Sequence, residues 1–420
     1  MQITAGCRCI AIGDKSLNGT AAIVGFGDAY RDEGEYLTPM DLMLRAIRTA
    51  LDDCGLSKND IDGIFTGPHP TQDRRRAYSC VLQQELMIAP KLNSEITPHN
   101  AGLAASIHYA AMAIKSGYVN TVLCVAGESF LSGAGEKVGG NAFAEGDIWF
   151  DLPYGIYNPS LYALIAQRYI HEYGIRPEQA AKFAVENRNW ALTHPKAASY
   201  KSGPLSIDQV LDSPMYASPL HQLDISIPAK PSGTAGAFIV TSAERAERLS
   251  SKPVYVLGAG ERSTHNYLSG RLGPSESSPS DLWTTITTSA AREASRDAFE
   301  MASLEPDDID LAELTTISSY AGLMNLEDCG FCEKGEGGKF VENGNIDFDG
   351  GNLPCNTNGG HLSFGLASVS ADLVSEALRQ LRGEALGKQV KDPRYALVQS
   401  HGGVQAAQVI LILGNERKKN

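Results

Sequence analysis

Leu56-Ser-Lys-Asn-Asp-Ile-Asp62 is answered 248 residues later by Leu304-Glu-Pro-Asp-Asp-Ile-Asp310. Ala46 and Ala50 stand opposite Ala294 and Ala298 at the same offset. The first copy follows an amphipathic helix. Thr38-Pro-Met-Asp41 is a helix start, Leu42, Ala46, Ile47, Ala50 and Leu51 recur at helical spacing, and Gly55 ends the run. Upstream, Val24-Gly-Phe-Gly27 has a counterpart in Val256-Leu-Gly-Ala-Gly260, each read as a strand ending in glycines. Downstream, a bend and small-residue helix at Thr97–Gly117 answers to Asn356–Gly383, and the apolar strand Thr121–Ala126 answers to Tyr395–Gln399. Matched elements in matched order predict an internal duplication. Each half reads β-α-β-(α)-bend-α-β, an α/β fold with helices over a parallel or mixed sheet. The halves are placed at residues 19–250 and 251–417. The first carries an insertion at 128–226 that is polar and aromatic, with helices expected at Ser160–Tyr173 and Pro177–Leu192. An insertion of this kind over a sheet suits the cover of a ligand pocket.

The net charge of −13 argues against nucleic acid or an anionic membrane surface as the main partner, although Arg74-Arg75-Arg76 is a local basic run. No stretch reaches the roughly 18 apolar residues that span a bilayer. The start of the chain shows no secretory pattern, and the eight cysteines are too sparse for a disulfide scaffold. A cytoplasmic protein is expected. Cys7-x-Cys9 and Cys329-Gly-Phe-Cys332 have the spacing of a split thiolate site, but buried free thiols are the simpler reading, and no metal is expected. The pair Gly25-x-Gly27 lacks the third glycine of a dinucleotide loop.

The bend at Thr97-Pro-His-Asn100 feeds a helix start, which carries free N–H groups and a positive dipole end. Acyl-transfer enzymes present a Cys or Ser in such a place; here it offers His99 and Asn100. The second half has its own bend, Pro354-Cys-Asn-Thr-Asn-Gly-Gly-His361, and a strand end at Ser400-His-Gly-Gly403. In a duplicated fold these three segments converge on one site. His401 is the candidate acid/base or oxyanion donor, or else a satisfied turn histidine. His361 carries the same two readings. Asn100 is a candidate oxyanion donor or a plain helix cap. Cys355, the only thiol beside either bend, reads as a nucleophile or a buried strand residue. There is no G-x-S-x-G, no Walker loop and no H-E-x-x-H. Acyl-CoA chemistry is not excluded.

Ala22-Ile-Val-Gly-Phe26, Tyr162-Ala-Leu-Ile-Ala166, Pro219-Leu-His-Gln-Leu-Asp224, Leu326-Glu-Asp-Cys-Gly-Phe-Cys332, Lys334-Gly-Glu-Gly-Gly338 and Asn356-Thr-Asn-Gly-Gly360 resemble the thiolase superfamily. The resemblance runs from about Gly19 to Gly414 and lies in the sterol-carrier-protein-type, lipid-transfer-like branch. It implies two similar halves in a five-layered α-β-α-β-α fold. It also implies a coenzyme A thioester as substrate, no permanently bound cofactor, and a homodimer. The family's acyl-accepting Cys would fall at or next to Asn100, and its Gly-His-Pro motif reads Gly365-Leu-Ala here. The motif after the duplicated strand reads Leu314-Thr-Thr-Ile317, and the late strand-end position is kept as His401. The steroid side-chain retro-aldolases, which the chain also resembles, lack that Cys and use tyrosines. Those would fall near Thr315 and Phe364, with Tyr320 the nearest substitute. Benzoylsuccinyl-CoA-type thiolases and this branch work with a small zinc-ribbon/OB-fold companion. The resemblance therefore implies carbon–carbon bond chemistry beside a CoA thioester without a Cys acyl-enzyme. His401 would be acid/base, and Asn100 and His361 oxyanion donors. The alternatives are acetyl-CoA acyltransferase activity with a displaced nucleophile such as Cys355, and a non-catalytic thiolase-like subunit.

Overall fold

The computed structural model describes residues 17–31, 35–70, 73, 75–129, 147, 149–154, 158–226, 233–249, 252–265, 268–272, 285–365 and 370–417. Cys7, Cys9, Arg74, Leu366 and Ala367 lie outside them. In chain order the first half contains β1 (Ala21–Tyr30), α1 (Pro39–Cys54), β2 (Gly63–Thr66), α2 (Tyr78–Leu86), β3 (Leu92–Glu95), α3 (Gly102–Lys115) and β4 (Thr121–Ser129). The segment over the sheet carries α4 (Asn158–Tyr173), α5 (Pro177–Ala191) and a short hairpin of β5 (Met215–Ala217) and β6 (Leu220–His221), before β7 (Gly233–Ser242) re-enters the sheet. The second half follows with β8 (Val254–Ser263), α6 (Ala291–Ala302), β9 (Leu311–Leu314), α7 (Ser319–Asp328), α8 (Ala371–Arg382), β10 (Tyr395–Gly402) and β11 (Ala407–Gly414).

The strands run in the order β3-β2-β4-β7-β1-β8-β11-β10-β9. Read from the centre outwards, each half repeats the other: β1 matches β8, β7 matches β11, β4 matches β10 and β2 matches β9. Cys355 makes a lone parallel bridge to Ala312 of β9, in the place that β3 holds beside β2. The halves meet through a short antiparallel contact, Ala22 with Tyr255 and Ile23 with Val254. α1 and α6 cover the outer faces, while α3 and α8 lie between the half-sheets against strands of both. This is a five-layered α-β-α-β-α arrangement. With both faces covered, β4, β10 and β11 are buried along their whole length, which is why they read as continuous apolar runs.

The duplicated turn has a structural job. Asp62 Oδ1 accepts from the Thr121 N–H at 2.8 Å, and Asp310 Oδ2 from the Tyr395 N–H at 2.9 Å, so each aspartate ties the start of the next parallel strand to its neighbour. The helix start at Thr38 also forms as expected, with reciprocal bonds between Thr38 and Asp41 of 2.9 and 3.1 Å. The strand glycines do not end β1, which continues to Tyr30. They seat a helix instead. A Cβ at Gly25 or Gly27 would lie 2.2 Å from the Ala50 or Ala46 carbonyl oxygen, and one at Gly258 or Gly260 would lie 2.1 or 1.9 Å from that of Ala298 or Ala294. The helix backbone thus rests directly on the strand backbone in both halves.

Next to these contacts each half carries a strand irregularity. The β1 register skips Val24 and the β8 register skips Leu257. A bulge leaves a backbone group outside the ladder. The Val24 carbonyl accepts from Arg382 Nη2 at 3.0 Å, and Arg382 Nη1 also reaches Asp53 at 2.7 Å. A cation at the end of α8 in one half therefore completes the backbone of β1 in the other.

The close approach predicts an asymmetric outcome for two alanine substitutions. Gly260→Ala should lower the unfolding free energy by about 1–3 kcal/mol through overpacking, read as a lower urea midpoint. Gly270→Ala, where an added carbon meets nothing, should stay within about 0.5 kcal/mol of the parent. Equal midpoints for the two variants would exclude the contact as a determinant of stability.

Candidate active site

β10 carries His401 to the middle of the molecule, where its last residue, Gly402, meets the first bend. A Cβ there would lie 2.4 Å from His99 Cβ and 2.6 Å from the Asn100 nitrogen, so only glycine lets the bend reach the strand end. The bend is itself tight, with His99 at φ 47°. Asn100 and His99 are exposed, at the rim, whereas His401 is 3% exposed. The second bend arrives from the other side. Asn356 accepts from the Leu314 N–H at 2.7 Å and donates to Asn187 at 3.1 Å and Thr316 at 3.3 Å, tying the bend to the end of β9 and to α5. Gly359 and Gly360 take positive φ, as expected of a glycine pair in a bend, and lead into the π-helical turn Gly360–Phe364 that holds buried His361. His361 lies close enough for its charge to be felt at His401.

The hydrogen-bond partner of His401 Nε2 comes from outside both bends. Tyr162, from α4 of the covering segment, places its hydroxyl 2.7 Å from His401 Nε2, and both side chains are buried. The other ring nitrogen faces Gln399, whose Nε2 lies 3.4 Å from His401 Nδ1 and 2.8 Å from Gln408 Oε1. Gln399 is oriented by its oxygen, which accepts the Thr315 N–H at 2.9 Å and Asn325 Nδ2 at 3.3 Å. Its NH₂ must therefore point at Gln408 and His401. This makes Nδ1 the acceptor and puts the proton on Nε2, aimed at the Tyr162 oxygen. The Tyr162 hydroxyl in turn has the Gly403 carbonyl at 3.4 Å as an acceptor. Burial holds the His401 pKa down at about 3, with His361 adding to the shift, so the imidazole is neutral at physiological pH.

Of the sequence candidates, His401 and His361 come together in the buried centre and Asn100 stands at its edge. Cys355 faces the outer core. Its thiol is 2% exposed and pushed well above the usual range by burial and by Glu313, the opposite of an activated nucleophile. Tyr320, the nearest substitute for the retro-aldolase tyrosines, lies in α7 near Asp224 and is pushed up by burial; the tyrosine beside His401 is Tyr162. Sequence reasoning missed Tyr162 and Gln399 as site residues. The tyrosine-rich segment around α4 was visible, but a contact spanning 239 positions leaves no local spacing to single out one ring. Among the described residues no group of three or more His, Cys, Asp or Glu side chains could hold a metal, and no helix is long and apolar enough to cross a membrane.

Residues 275–415 match the family described as thiolase C-terminal domain-like. The chain is 30% identical to the steroid side-chain-cleaving aldolase of Thermomonospora curvata, over 96% of this chain and 99% of that one. It is 29% identical to the acetyl-CoA acetyltransferase of Methanothermobacter thermautotrophicus, over 93% and 98%. Among solved structures, the Ltp2-ChsH2(DUF35) aldolase superposes with a TM-score of 0.79 at 28% identity, covering 96% of this chain and 99% of that one.

The environment of His401 predicts its titration. Its folded value of about 3 lies below the ordinary 6.5. The stability it contributes is thus complete above pH 6.5 and is lost as the pH falls from there toward 3. In ¹⁵N NMR the ring should keep the Nε2–H pattern from pH of about 8 down to about 5; a midpoint near 6.5 would contradict the buried, neutral assignment.

Proposed function

The chain belongs to the thiolase superfamily, and from that premise we propose that it makes or breaks a carbon–carbon bond beside a coenzyme A thioester without a Cys acyl-enzyme. The observation that carries this reading is the buried 2.7 Å bond between Tyr162 and His401, at the point where the first bend meets the end of β10. Among the described residues no thiol stands there. Cys355, the candidate for a displaced nucleophile, is buried on another face, which weighs against acetyl transfer through a covalent intermediate.

In the condensation direction, an enolate of the thioester attacks a carbonyl carbon and an alkoxide develops on the carbonyl oxygen. Tyr162 gives that oxygen its proton, and the phenolate left behind is stabilised by the His401 Nε2–H. In the cleavage direction the phenolate takes the β-hydroxyl proton. The carbon–carbon bond breaks, its electron pair passes to the α-carbon, and the carbonyl compound leaves. His401 thus acts in acid/base chemistry through Tyr162, and Gln399 keeps its proton on Nε2. In this reading Asn100, at the rim beside a helix start, and His361 serve the thioester or enolate oxygen.

The division into halves at 19–250 and 251–417 belongs to the same reading, supported by the mirrored strand order. So do an acyl-CoA substrate, a homodimer, a cytoplasmic location and a small zinc-ribbon/OB-fold companion. The companion is supported by the partnered aldolase among the structural neighbours.

With β-hydroxyacyl-CoA thioesters as substrates, His401→Ala and Tyr162→Phe should each lower kcat on the order of 100-fold or more while CoA-thioester binding persists. Full activity of His401→Ala would overturn the assignment. CoA binding by the parent protein with no turnover of β-hydroxy or β-keto thioesters would instead favour a non-catalytic subunit.

A further inference from the structure

α8 turns Asp372 and Glu376, four positions apart on one face, into the interior. Each carboxylate meets a histidine. Asp372 Oδ2 lies 3.8 Å from His361 Nε2, and Glu376 Oε2 lies 3.8 Å from His194 Nε2. The two pairs are not equivalent. Glu376 Oε1 accepts from Thr357 at 2.9 Å and from Gln380 at 2.8 Å, while burial pushes His194 toward its neutral form. Asp372 and His361 have no such support. Neither oxygen of the one and neither nitrogen of the other makes a hydrogen bond among the described residues, although each residue is 3% exposed.

A buried carboxylate without hydrogen bonds is costly unless a cation stands beside it, and the same holds for a protonated imidazole. The groups around the pair leave it to itself. Tyr30 from β1 and Glu313 from β9 are pushed by burial toward their neutral forms. Arg379, on the same helix, is engaged with Asp28 at 2.7 Å. Glu376 is bonded as above, and His401 is neutral. One site thus holds two histidines in opposed surroundings: His401 between Gln399 and Tyr162, His361 against a carboxylate. Such divergence is how a single site separates its acid/base duties.

We infer that Asp372 is a positioning residue for a second proton carrier, His361, which handles the proton at the carbon next to the thioester while Tyr162 handles the one at the β-oxygen. This rests on the carbon–carbon bond reading above and replaces the oxyanion role of His361 with a proton-transfer one. In the condensation direction, the nitrogen of His361 turned away from Asp372 takes the α-proton. The C–H electron pair becomes the enolate, and the imidazolium is paired with Asp372. In the cleavage direction the imidazolium returns that proton to the α-carbon.

The test separates this step from bond cleavage. Propionyl-CoA incubated with the full-length protein in D₂O should exchange its α-hydrogens, read by mass spectrometry, with no carbonyl partner present. Tyr162→Phe should keep this exchange while losing carbon–carbon chemistry. Asp372→Asn and His361→Gln should each lose it on the order of 100-fold, with partial recovery in Asp372→Glu. Parental exchange in folded Asp372→Asn or in His361→Gln would overturn the inference; should Asp372→Asn fail to fold, His361→Gln decides alone. A parent that cleaves β-hydroxyacyl-CoA but exchanges no α-hydrogen would overturn the inference and leave the proposed function standing. A parent that does neither would overturn both.

Discussion

The fold rests on direct contact between helix backbone and strand backbone. Where Gly25 and Gly27, or Gly258 and Gly260, face the carbonyl of an alanine one helical turn from the next, no side chain separates the layers. That closeness fixes the angle and height of α1 and α6. It leaves the opposite faces of the sheets free to enclose α3 and α8. With two helices in the middle layer, the ends of β9 and β10 and the second bend are brought to one buried place, with the first bend at its rim. The glycines are remote from the chemistry, yet they determine where the chemistry can be.

The candidate site is assembled from both halves and from the segment that covers them. His401 comes from the second half, the bend beside Gly402 from the first, and Tyr162 from α4. The position of α4 has its own buried support. Tyr169, two turns along from Tyr162, donates to Glu327, and Lys334 bridges Glu327 and Asp328 at 3.0 Å each. Asp328 in turn accepts from the Ser289 N–H at 2.7 Å. Buried charges arranged this way add little net stability but penalise misplacement strongly. The network is therefore better understood as fixing where the Tyr162 hydroxyl points than as holding the fold together.

Much of this was legible in the residues because it is local. The duplicated turn is a short pattern whose aspartates bond to backbone a strand away, and its spacing survives in both halves. His401 stands out because two glycines follow a buried strand. Gln399, two residues earlier, looks like any polar residue in a strand until the Thr315 N–H is seen to orient its amide. Gly25 and Gly27 were read as a strand end, a sound inference from local propensity; a helix packed on them is a tertiary fact that no window of sequence contains. Tyr162 is the extreme case, since its partner lies 239 positions away and Tyr154, Tyr157, Tyr169 and Tyr173 stand in the same stretch.

The bulge in β1 has a further meaning. Val24 turns a carbonyl out of its ladder, and the group that receives it, Arg382, belongs to the other copy. Two repeats that began as equivalents have thus divided a single hydrogen-bonding task between them. The first half has no partner of its own for this buried carbonyl. Separating the copies would leave a desolvated carbonyl on one and an unmatched guanidinium on the other. The likeness of the two halves in strand order therefore does not make either one self-contained.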